Sequence, residues 1–501
     1  MLRPPILRLS YFFLFGLMAT SCSDDGNRSD GKAGADGSSE GSDTADGDDT
    51  GGGGGPGVSA SDVYAFTSAF TEGSSVAYSG QVFRQLLIDD MKAHLGGITA
   101  RIDEGRLFPE SGDVSDELRF YFEFDSSVGG QVPLYTSPEP GAMQLVYDDV
   151  SAGKNLVGKL AGNDETGQHR DWTTEFAGWS AEGVTSPESL VRMWMATIDA
   201  QAVDWMSGDI PLDPSGAPVP AVYVTASGLD LRQLLQKFLR LGITLSQGAD
   251  DYLDDDIDGK GLLSDHTVAV DGKPYTALEH AWDEGFGYFG ASRSYPEWTD
   301  AEIAESPGRD VDDDGVVDLL REMNWGHSVN AAKRDAGAVA ATDFTADAWD
   351  AFYAGRVLLE ETAGQGLSAE QLETLRGHRD AAVLAWEQAI AATVVHYIND
   401  VLQDMVALEA DDGYDFGDHA KHWSELKGFA LGFQFNPRSP LSEAEFQALH
   451  DLIGMAPVLG DADAAERADY ADDLVAARAL IADAYGFDAA NLGDQDGENG
   501  W

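Results

Sequence analysis

The chain has 501 residues, with 88 Asp and Glu against 31 Lys and Arg and a formal net charge of −57. Such a surface repels nucleic acid and anionic lipid headgroups, which excludes both as ligands, and it suits a saline habitat or bound divalent metals. Cys22 is the only cysteine, so disulfides are excluded, and thiol chemistry too once that residue is acylated.

Arg3 and Arg8 precede an apolar run, Tyr11 to Ala19, too short for a stable transmembrane helix. This is the pattern of a signal peptide, and Ala19-Thr-Ser-Cys22 follows it as an imperfect lipobox with Cys22 as the lipidated residue. A plain secretory signal is the alternative. Residues 1–22 are therefore expected to form a lipoprotein signal peptide and residues 23–60, rich in Asp, Gly and Ser, a disordered tether. Ser23 points to the outer membrane, whereas Asp24 pulls toward inner-membrane retention. The lipid anchor is the one expected contact with membrane.

Residues 61–501 are long enough to bury a large core as a single helical domain. Helical spacing of apolar residues predicts helices over 79–98, 186–206, 229–246, 366–408, 441–453 and 465–485. Alternation predicts a strand over 117–124 ("ELRFYFEF"), and shorter ones are expected near Val132 to Leu134 and Val222 to Thr225. The expected fold is mainly α, a helical bundle with a small irregular or β-containing insertion between about 100 and 225. No further stretch reads as long enough to cross a membrane.

Two acidic loops carry calcium-type spacing. Asp310, Asp312 and Asp314 precede Gly315, with Asp318 at the ninth place of an EF-hand-like loop and Arg321 where that pattern has a bidentate Glu. Asp254, Asp256 and Asp258 precede Gly259 in the same way. A solvated acidic turn is the alternative at both.

The run "YTALEHAWDEGFGYFG" reads as one helix, with His280, Asp283 and Glu284 opposite Leu278, Trp282, Phe286 and Phe289. His280 and Glu284, one turn apart, can hold one metal ion, and Gly285, Gly287 and Gly290 argue that something packs closely there. In "DHAKHWSELKGFALGF", His419, His422 and Glu425 share a face with Leu426, Phe429 and Phe433 and must find partners inside. The expectation is that His280 and Glu284 face His422 and Glu425 across the bundle, ligating Fe or Zn. His327 and His396 are weaker candidates for the same centre. A purely structural hydrogen-bond network through these residues is the competing picture. There is no His-Glu-x-x-His, no nucleophile elbow and no phosphate-binding Gly-Lys-Ser/Thr loop.

Read in order, "YSGQVFRQLLIDDMKAHL", "KLAGND", "YTALEHAWDEGFGYFG", "DVDDDGVVDLLREMNWGHSVNAAKRD", "YAGR" and "HWSELKGFALGFQFNPRS" resemble a family of bacterial lipoproteins. That family is catalogued as the domain of unknown function numbered 4856, and the resemblance spans about 65–455. More distantly the chain is similar to imelysin-like lipoproteins, helical bundles with a His-x-x-Glu motif that His422-Trp-Ser-Glu425 matches. Ala420 stands where that pattern has a glycine. This resemblance implies metal binding, a role in iron acquisition and an envelope transport partner. The expected function is thus a non-enzymatic cell-envelope lipoprotein that binds a metal ion or a small ligand. A metal-dependent, peptidase-like hydrolase and a surface scaffold without a small ligand stay open.

Overall fold

Residues 63–164, 168–410 and 412–501 are described in a computed structural model of the chain. The expected signal peptide, Cys22 and the tether lie outside them. The principal helices are α1 (Ser79–Gly96), α2 (Asp113–Phe122), α3 (Pro187–Ser207), α4 (Leu231–Leu239), α5 (Ala277–Phe289), α6 (Gly326–Gly337), α7 (Phe344–Thr362), α8 (Ala369–Ala410), α9 (Phe416–Ala430), α10 (Glu443–Ile453) and α11 (Ala464–Tyr485). The fold is mainly α, as expected. Local chemistry starts these helices: Ser186, Asp230, Thr276, Ser442 and Asp463 each accept a hydrogen bond from a first-turn N–H. Beyond Leu239 the chain continues through wider π-helical turns over Arg240–Leu245 and Gly248–Tyr252, a geometry that often marks functional segments.

No strand occurs among the described residues; only isolated bridges do. The segment expected as strand 117–124 is instead largely helix α2. Val114, Leu118 and Tyr121 are buried at spacings of four and three, and Asp113 and Asp116 lie in the first turn, where the helix dipole favours acids. The regions around Val132 and Val222 give single bridges, Pro133 with Val146 and Val224 with Asp230. Prolines at 133, 138, 140, 211, 214, 218 and 220 remove ladder donors from both regions. The insertion is thus irregular with short helices, and not β.

Helix α8 is the axis of the core, packed by α6, α7, α9 and α11. It contains an 18-residue stretch apolar enough to cross a membrane by length and composition, where no such stretch was expected. Inside the fold 72% of that stretch is buried, because neighbouring helices cover it.

Helix α5 is covered on nearly every side, and its acids are neutralised internally. Arg356 of α7, fully buried, donates from Nε to Asp283 Oδ1 at 2.9 Å and from a terminal nitrogen to Ser75 Oγ at 2.6 Å, and it pairs with Glu279 at 3.1 Å. Tyr64 Oη donates to the same Asp283 carboxylate at 3.1 Å, and the Ala77 N–H to its other oxygen at 3.2 Å. Burial pushes the Asp283 carboxyl up, and Arg356 pulls it back. One guanidinium therefore joins α5, α7 and the segment before α1.

Close approach of α7 to α5 depends on Gly355, where a Cβ would overlap the indole ring of Trp282. That indole donates to Phe352 O at 2.9 Å, so it cannot swing away freely. Gly355→Ala is expected to cost about 3 kcal/mol or more through overpacking, measured as a lowered denaturant midpoint with an unchanged slope.

Candidate functional site

The four residues expected to converge on one transition metal each have other partners. His280 stacks on Tyr275 with ring centres 4.5 Å apart, and its Nδ1 lies 3.0 Å from Ala77 O. Glu284, at 3.7 Å from His280, accepts from Gln81 Nε2 at 2.7 Å. The glycines of α5 do mark close packing, since a Cβ on Gly285 would meet Leu253 at 2.7 Å and one on Gly287 would meet Tyr78 at 2.8 Å.

On α9, Glu425 pairs with buried Lys237 of α4 at 2.9 Å. Burial pushes its carboxyl up, but Lys237 and then Lys92 outweigh this and hold it well below the usual range. His422 Nδ1 lies 2.8 Å from Asp404 of α8. Burial lowers the imidazole, but the bond to Asp404 and the charge of Asp400 lift it to about 9. His419, buried, contacts Tyr414 Oη at 3.3 Å and is lowered to about 3 by burial and by His422. His396 lies 3.4 Å from Asp400. His327, fully buried, shares a hydrogen bond of 2.7 Å with Thr244 Oγ1 of the π-helical segment and packs on Trp386. Burial, then Arg240, keeps it neutral. His280, Glu284, His422 and Glu425 thus take part in separate ion pairs and hydrogen bonds. The physical reason is burial: each group must be compensated, and each finds a nearer partner than the others of the set.

The acidic loops divide. Asp310, Asp312 and Asp314 bring ligand oxygens within 4.8 Å of one another, and no other group of three His, Cys, Asp or Glu does so among the described residues. Oxygens bound to a single Ca²⁺ at 2.3–2.6 Å are at most about 4.6–5.2 Å apart, so the trio fits one ion. Asp310 shapes the turn, accepting from Asp314 N at 3.1 Å and Gly315 N at 2.8 Å. Asp313 and Gly315 both take positive φ, 60° and 95°. Asp318 is not part of the trio: its carboxylate turns inward to Gln144 Nε2 and Leu320 N, both at 2.9 Å. Glu322, one residue beyond the twelfth place, accepts from Val311 N at 2.9 Å and Asp318 N at 2.7 Å, and so closes the loop base through the backbone.

In the second loop Asp254 is taken by Arg438. Asp256, held up to about 6 by burial and a hydrogen bond with Asp254, joins no converging trio. Asp258 likewise remains outside one. An internal arginine has already satisfied the loop's first acid.

One arrangement escaped the sequence reading. Asp250, buried in the π-helical segment, accepts from the backbone N–H of His169 at 3.1 Å and lies 2.8 Å from its ring Nδ1. Burial raises the Asp250 carboxyl, and His169 draws it back. Arg170 Nε donates to His169 Nε2 at 3.3 Å. Two adjacent basic residues followed by Trp172 in a very acidic chain were the available signal, but the orienting acid lies 81 positions away.

The chain belongs to the family defined by the domain of unknown function DUF4856, whose model matches residues 190–487. The matched span begins later and ends later than the resemblance quoted above. No curated protein and no solved structure matches the chain.

The His422–Asp404 pair predicts a pH dependence. Because the folded imidazole sits above its ordinary 6.5, the stabilisation is fully present below that pH and is lost as pH rises through about 9. The loss is no more than about 3 kcal/mol. Denaturant unfolding from neutral to alkaline pH should reveal it, and His422→Gln should flatten that part of the profile.

Proposed function

We propose that this protein is a lipid-anchored, calcium-binding protein of the bacterial cell envelope, working by binding and not by catalysis. The observation that carries the reading is the convergence of Asp310, Asp312 and Asp314 in a loop already bent by Asp313 and Gly315. Calcium there is a structural ion. It compensates three carboxylates that otherwise repel one another and rigidifies the connection into Trp325 and α6. The loop is tied to the insertion by the bridge between Ala142 and Val317, so ordering it orders that region as well.

The envelope location rests on the sequence, with Cys22 as the acylated residue and the outer membrane as its site. The anchor is the only membrane contact in this reading, and nucleic acid is no partner for a chain of net charge −57. Fe or Zn, and with them iron acquisition or metal-dependent hydrolysis, have weaker support. The histidines expected to ligate them are engaged with other groups.

Saturating calcium should stabilise the protein by mass action, by about 2.7 kcal/mol at a hundredfold excess over Kd. Melting of untagged protein in EDTA and in Ca²⁺ checks this; the expected rise of a few degrees should vanish in Asp312→Asn/Asp314→Asn. An unchanged midpoint in wild type would reduce the loop to a solvated turn. Cys22→Ser should release the protein from the membrane fraction, and full retention of that variant would refute the anchor.

A further inference from the structure

Beside the His169–Asp250 pair lies a cavity of about 230 Å³. It is smaller than the roughly 300–1,000 Å³ that holds drug-sized ligands, so its occupant would be of small-metabolite size. Its lining has three kinds of surface.

Phe433, Leu441 and Phe446 form an apolar wall. The polar floor is Gln434, Asn436 and Ser439, and its hydrogen bonds are already made. Gln434 exchanges bonds of 3.1 Å with the backbone of Ala177, while Asn436 and Ser439 donate to Glu387, which is buried behind them and also accepts from Tyr485. A floor locked in this way asks little of a ligand and holds its shape, which lowers the cost of binding. The charged rim is His169, Arg170 and Glu443.

The rim decides the chemistry. His169 is fixed by Asp250 through both its backbone and its ring, and Arg170 lies 5.8 Å over the ring of Trp172. The guanidinium is paired with Glu443 at 2.9 Å, but that glutamate is 64% exposed. An ion pair with one partner this exposed contributes little to stability. Glu443 is also the first residue of α10, where the helix dipole favours a negative charge. A carboxylate arriving from solvent would therefore meet a planar cation now paired with an exposed surface acid, beside a lining that includes Phe433, Leu441 and Phe446.

We infer that this cavity is a binding site for a small organic carboxylate with an apolar or aromatic body, whose carboxylate takes the place of Glu443 on Arg170. The shared chemistry covers simple monocarboxylates and apolar α-amino acids. An amino acid would in addition use Glu443 for its ammonium group. The inference does not depend on the calcium loop, and the test is run with Ca²⁺ present so that loop is filled if it binds.

Calorimetric titration of the purified full chain with phenylacetate, L-phenylalanine and benzyl alcohol tests it. Saturable binding of at least one carboxylate is expected, with benzyl alcohol at least about tenfold weaker. Arg170→Gln, its folding checked by its melting point, should weaken the carboxylate at least about tenfold. Glu443→Gln separates the two sources: it leaves or tightens phenylacetate binding and weakens phenylalanine if the ammonium is recognised. No saturable binding of either acid up to about 10 mM, a free energy weaker than roughly −3 kcal/mol, overturns the inference. So does binding that Arg170→Gln leaves unaltered.

Discussion

The described fold turns on one buried cation. Arg356 neutralises Asp283 and Glu279, and its surroundings include Ser75 and Tyr64, all shielded from water. Burying such charges costs several kcal/mol each, and the attraction between them recovers that only with full hydrogen bonding. Here the bonds come from three separate parts of the chain, so the network specifies which segments meet as well as how they pack. Gly355 stands beside it in sequence and permits the approach of Trp282. Electrostatics and sterics thus fix the same contact between α5 and α7.

This arrangement also explains the character of α5. A helix bearing His280, Asp283 and Glu284 on one side resembles a ligand platform when viewed alone. In the fold its acids face an arginine, a glutamine and backbone N–H groups, and only the His280 ring reaches toward solvent. The same logic governs α9, where Lys237 and Asp404 take the two groups that a metal would have needed. Ion pairing across helices engages these groups with residues of neighbouring helices.

How much of this the residues reveal depends on distance along the chain. The helices were legible because their signals are local: apolar spacing, caps such as Ser442 with Glu445, and stops such as Gly290. The Asp310 trio was legible for the same reason, since a turn and three nearby acids need no remote partner. Strand 117–124 misled because eight alternating residues satisfy both periods, and only the burial of Val114 and Leu118 selects the helix. The pairing of buried polar groups was not legible. His280 meets Ala77 across 203 positions, and His169 meets Asp250 across 81, with nothing local to announce either.

The segment before α1 has a consequence for the order in which the chain can fold. Tyr64 bonds to a residue 219 positions later, and Ser75 to one 281 positions later. During synthesis from the N-terminus, this segment emerges long before Arg356 exists to receive it. Most helices can form from neighbouring residues, yet the junction they serve is among the most non-local in the molecule. Closure of such distant contacts is the slow part of folding. The first described residues of the chain are therefore bound to wait, and a truncation between α5 and α7 leaves Ser75, Asp283 and Glu279 without the arginine they share in the fold.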